Sequence, residues 1–120
     1  MRILILALVF AVLAVPAAFA HPPSLVDISL TDTGKVQVMV THAVGNPKEH
    51  YIEKIELFVN GVKLEEREYT SQLGNQQIDV FKVPGLAAGD KISARAYCNK
   101  GGERTGEMTI EQSEEPAEAK

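Results

Sequence analysis

Hydrophobic residues recur at every second position along most of this chain. Val26, Ile28 and Leu30 alternate with polar neighbours, Asp32-Thr33-Gly34 supplies a turn, and Val36, Val38 and Val40 resume the alternation. A period of two marks a strand with one buried face. A loop from Ala43 to Glu49 holds Gly45-Asn46-Pro47, and an apolar segment from His50 to Val59 follows. Asn60-Gly61 closes that segment with a strong short hairpin signal. The chain returns through Val62 to Tyr69, loops over Thr70 to Asn75, and forms a further strand from Ile78 to Val83 before Pro84-Gly85. Ile92, Ala94 and Ala96 alternate, Asn99 to Gly102 turns, and Arg104 to Glu111 completes the series. Seven short strands without a helical segment predict an all-β fold, an immunoglobulin-like sandwich of two antiparallel sheets.

Ahead of the first strand the pattern changes. Met1-Arg2 carries one positive charge, and Ile3 to Ala20 is uncharged, broken by Pro16 and ended by Ala18-Phe19-Ala20. A charged start, a short apolar run and a small-x-small site describe a secretory signal peptide, residues 1–20, cleaved to leave His21 first. The protein is therefore expected to be exported, periplasmic or secreted, with no membrane association once cleaved. The single domain is expected to span residues 21–111. Residues 112–120 carry Glu114, Glu115 and Glu118 with Pro116, and read as an acidic, disordered tail.

Composition narrows the function. The net charge of -4 and the absence of a basic stripe exclude a nucleic-acid surface. One cysteine, Cys98, cannot form a disulfide within its own chain. A lone thiol in an oxidising compartment needs burial, a partner chain or a metal.

The strand faces sharpen that choice. Val36, Val38, Val40 and His42 share one parity, and Ile92, Ala94, Ala96 and Cys98 share another, so a histidine and the cysteine each end a core-facing row. In the third strand His50 and Ile52 share a parity, while Ile55, Leu57 and Val59 take the other. A bulge near Glu53-Lys54 would reconcile the two and re-aim His50. Two histidines and the cysteine at strand ends point to a metal site.

These residues resemble a family. Thr41-His42, then Glu49-His50-Tyr51-Ile52-Glu53-Lys54-Ile55-Glu56-Leu57, then Ala94-Arg95-Ala96-Tyr97-Cys98-Asn99, are similar to the ligand segments of superoxide reductases, the iron-binding domains of desulfoferrodoxin and neelaredoxin. The resemblance runs from about His21 to Ile110. It implies an immunoglobulin-like fold, non-haem iron held by His21, His42, His50 and an axial Cys98 thiolate, superoxide as substrate, and an external protein as electron donor. The family's fourth histidine falls at Gly101, and the Glu-Lys pair before its first histidine is replaced by Phe19-Ala20. The resemblance therefore implies a degenerate iron site. A free amine on His21 would add a chelating nitrogen, a donor set that also suits copper.

An alternative stays open. Asn60-Gly61, Gly89-Asp90-Lys91-Ile92 and Gly102 to Ile110 are similar to the immunoglobulin-like carrier subunit of the bacterial sulfur-oxidation complex, which has neither metal nor catalytic residue. Tyr97-Cys98-Asn99 favours the superoxide reductase resemblance.

Overall fold

A computed structural model describes residues 21–111. The signal-peptide and acidic-tail readings, over residues 1–20 and 112–120, lie outside the described residues. Seven strands follow in order: β1 Leu25–Leu30, β2 Val36–Thr41, β3 Ile52–Val59, β4 Val62–Glu68, β5 Gln76–Phe81, β6 Lys91–Cys98 and β7 Glu103–Thr109. All pairings are antiparallel. One sheet has the order β1-β2-β5 and the other β4-β3-β6-β7, and no helix occurs among the described residues. The architecture is the expected immunoglobulin-like sandwich.

Alternation decides what lies between the sheets. Val36, Val38 and Val40 from β2 face Ile92, Ala94 and Ala96 from β6, and all six are fully buried. Ile55 and Leu57 from β3 and Phe81 from β5 complete the centre, with Val26 and Ile28 from β1 at its margin. Leu30 shares the parity of Val26 and Ile28 but is exposed, because it is the last residue of an edge strand. Asn60 and Gly61 both have positive φ, at 51° and 81°, as a two-residue primed hairpin turn requires. The ladder between β3 and β6 slips at Glu53: Ile52 lies opposite Cys98 and Lys54 opposite Tyr97, which is the expected bulge.

Both open sides of the sandwich are fastened. On one side β7 passes so near β1 that a Cβ on Gly106 would collide with the backbone carbonyl of Val26. On the other, Arg67 Nη1 of β4 donates to Asp79 Oδ1 of β5 at 2.7 Å and to the Val80 carbonyl at 2.9 Å. Tyr69 Oη donates to Asp79 Oδ2 at 2.5 Å, and the Arg67 guanidinium lies 4.2 Å from the Phe81 ring centroid.

Burial alone would raise the Asp79 pKa, but the Tyr69 and Arg67 hydrogen bonds outweigh it and hold the carboxyl below its ordinary value. A depressed folded pKa means that Asp79 contributes stability above its unfolded pKa, near 3.9, and loses it as pH falls through the folded value. Asp79→Asn is expected to cost about 1.5–3 kcal/mol, the range for hydrogen bonds to charged groups. Urea unfolding should show that difference at pH 7, and it should shrink below about pH 4 as the wild-type carboxyl itself protonates. An equal difference at both pH values would count against this clamp.

Candidate metal centre

Among the described residues, two of the three buried polar or charged ones gather at one end of the sandwich. These are His42 and Gln72, while Glu56, the third, pairs with Lys63 at 2.9 Å elsewhere. His42 follows β2 directly, so the inward row Val36-Val38-Val40 delivers its ring to the end of the core. Its amide donates to the Asn75 carbonyl at 2.8 Å, which holds the chain at that point. Cys98 ends β6 in the same way and is buried.

His50 arrives differently from the expectation. It is not part of β3, which begins at Ile52, and the bulge at Glu53 does not aim it. A turn presents it: the Asn46 carbonyl accepts the amides of Glu49 at 3.1 Å and His50 at 2.8 Å, and Asn46 Oδ1 accepts the Lys48 amide at 3.1 Å. Asparagine at the head of a turn does this because its side chain reaches its own backbone two residues on. Asn99 then ties the turn to the cysteine strand. Its Oδ1 accepts the Tyr51 amide at 3.0 Å and its Nδ2 donates to the Glu49 carbonyl at 2.9 Å, so His50 is bracketed on both sides.

His21 is exposed, yet its segment is fixed. Pro23 is fully buried, Arg104 Nε donates to its carbonyl at 2.6 Å, and the Ser24 amide donates to the Thr41 carbonyl at 2.9 Å. Gly102, at φ 93°, lets Pro22 lie against the turn after β6, since a Cβ there would sit 2.9 Å from the Pro22 nitrogen. The result is a cluster of three imidazoles. One ring nitrogen from each of His21, His42 and His50 lies within 4.8 Å of the other two. Ring centroids are 5.9 Å apart for His21 and His42, 5.4 Å for His21 and His50, and 4.7 Å for His42 and His50.

Cys98 meets the cluster at His50, with 3.0 Å between Sγ and Nε2. Burial pushes the Cys98 thiol pKa up, with the Glu53 carboxylate adding to it, against the amides of Lys100 and Gly101. Burial pushes the His50 pKa down, aided by His42, His21 and Lys100. Both shifts favour a neutral pair, joined by one hydrogen bond between Sγ and Nε2, while Sγ also accepts the Lys100 amide at 3.4 Å. A metal entering here must displace the thiol proton.

The four residues singled out in the sequence are thus brought to one place. Three imidazole nitrogens and a thiol at a sheet end form a donor set with transition-metal character. Gln72 and Asn99 position two of them, and the sequence marks Asn99 only as part of the Tyr97-Cys98-Asn99 motif. Gln72 lies in a segment that reads only as a polar loop, and nothing in its neighbourhood signals burial. Asn99 sits directly after the cysteine, at the start of the turn that follows β6.

No protein-family model matches the chain, and no curated protein does. Among solved structures, superoxide reductase (neelaredoxin) from Archaeoglobus fulgidus in its reduced form is similar at 26% identity over 77% of this chain and 90% of that one, with a TM-score of 0.49. A superoxide reductase (neelaredoxin) variant from Ignicoccus hospitalis is similar at 24% identity over 77% and 82%, with a TM-score of 0.44.

Proposed function

We propose that this chain is an exported, superoxide reductase-like protein that holds non-haem iron through His21, His42, His50 and Cys98. The observation that carries the reading is the convergence of three imidazoles within 4.8 Å, with the thiol 3.0 Å from one of them. Iron bound through nitrogen and thiolate ligands would supply one electron to superoxide, which with two protons becomes hydrogen peroxide. Each residue has a part in that chemistry. Cys98 loses its proton and donates charge, His42 closes the buried side, and His21 leaves the other side accessible to a small anion. Lys100, whose charge already acts on His50, adds a positive group near the approach. Gly101 brings no side-chain donor, so the site has at most three imidazoles. Electrons come from a separate donor protein, and copper is the competing metal.

Loading the protein anaerobically with ferrous iron and then oxidising it tests the reading. A visible thiolate-to-ferric charge-transfer band is the expected result; a protein that retains no iron would contradict it.

Export belongs to the same proposal and rests on Ala18-Phe19-Ala20 after an uncharged run. Intact mass of protein recovered from the periplasm or medium should match a chain beginning at His21. A mass that still includes Met1 would argue for a retained leader.

A further inference from the structure

We infer that Gln72 is a positioning residue that fixes the tautomer of His42, leaving Nε2 of that ring as the metal-binding nitrogen. The inference rests on the proposed metal site and concerns a residue outside its donor set. Gln72 is buried and reaches across from the loop between β4 and β5. Its amide makes four contacts. Nε2 donates to the His42 carbonyl at 2.7 Å and to the Gly74 carbonyl at 2.9 Å. Oε1 accepts the Ile52 amide at 3.0 Å and lies 2.9 Å from His42 Nδ1.

Three of those partners have fixed roles, and together they leave no freedom. Two carbonyls can only accept, so the NH2 group must face them. The Ile52 amide can only donate, so the oxygen must face it. Turning the side-chain amide over would break all three contacts. Nδ1 of His42 therefore meets an oxygen that can only accept, and must carry a hydrogen. In a neutral imidazole the other nitrogen is then bare. A histidine bound to metal through one nitrogen commonly donates its other N–H to such an oxygen.

Nε2 itself faces the exposed side of the site. The buried ring directs it at the His21 carbonyl, 3.1 Å away. That carbonyl can only accept, so a bare Nε2 makes no hydrogen bond with it, and metal binding at Nε2 requires the His21 carbonyl to move aside. Nothing else in the site replaces Gln72: Cys98 and Lys100 engage His50 rather than His42.

The test has one arm without metal and one with it. Long-range proton–nitrogen NMR of the metal-free, 15N-labelled protein should show Nδ1 of His42 protonated and Nε2 bare. Gln72→Leu, which removes the acceptor, should lose that bias, and Gln72→Glu, which keeps an oxygen toward Nδ1 while losing the two donations to the His42 and Gly74 carbonyls, should retain it. Zinc titration, free of redox complication, should give about 10–100-fold weaker binding for Gln72→Leu, the scale of such supporting contacts. Gln72→Glu should bind more tightly than Gln72→Leu. A wild-type His42 protonated at Nε2 would overturn the inference even if both variants unfold. So would Gln72→Leu with unchanged tautomer and unchanged affinity. A wild type that binds no metal would overturn the proposed site, and with it the ligand role of Nε2; the NMR arm would still show whether Gln72 sets the tautomer.

Discussion

Replacing Cys98 by serine is expected to abolish the thiolate-to-ferric band and to weaken iron binding by at least about 10–100-fold. That range describes loss of a supporting contact around a ligand, so loss of the ligand itself should cost no less. The substitution suits the question because serine is nearly the same shape. Its oxygen can still accept the Lys100 amide and hydrogen-bond with His50, the two contacts that Cys98 makes. The fold should survive, and far-UV circular dichroism checks that it does. A hydroxyl is far harder to deprotonate than a thiol and is a poor ligand for a borderline-soft ion. If the serine variant binds iron as tightly as wild type and shows the same spectrum, Cys98 is a packing residue and the proposed donor set is wrong.

The largest expected loss of stability comes from Gly106→Val. The first carbon of any side chain there would press on the carbonyl of Val26 in β1, and backbone cannot turn aside as the end of a flexible side chain can. Overpacking typically costs about 1–3 kcal/mol. A contact with backbone, made worse by branching, should reach roughly 3 kcal/mol, which lowers Tm by about 12–24 °C in a domain of this size. Gly45→Ala is the control: a Cβ there meets nothing within 4 Å and the residue has no positive φ. The prediction has a second readout, because β1 carries the segment that holds His21. Displacing it should also weaken metal binding. A Tm within about 3 °C of wild type would mean that the two sheets can separate at this edge without penalty.

How much could be read from the sequence follows from what each feature depends on. Strands depend on alternation, a local property, so β2 and β6 are legible from three apolar residues each. The same parity carries His42 and Cys98 to the end of the core. The bulge at Glu53 is legible too, since a one-residue phase change in a single strand has few other causes. His50 lies beside the other two histidines but in a turn rather than in the strand its parity suggests. Its parity match with Ile52 suggested strand, while Asn46-Pro47 shortly before it forms the turn that places it. Gln72 shows the limit. Its importance lies in four contacts, three of them to His42 and Ile52 far away in sequence, and one glutamine in a polar loop carries no trace of them. The Asp79 clamp is hidden for the same reason: Arg67, Tyr69 and Asp79 meet only because the edges of two sheets do.

Gly101 is where the resemblance and the chemistry part company. The superoxide reductase resemblance would place a fourth imidazole there, and glycine has no side-chain donor. In the proposed site, His21, His42, His50 and Cys98 must then be sufficient to hold iron.

X-ray absorption at the iron edge, on protein loaded anaerobically with one equivalent of ferrous iron, tests that claim most directly. The account predicts one sulfur scatterer together with imidazole nitrogens, and loss of the sulfur contribution in Cys98→Ser. A first shell of oxygen and nitrogen alone in the wild-type protein would contradict it.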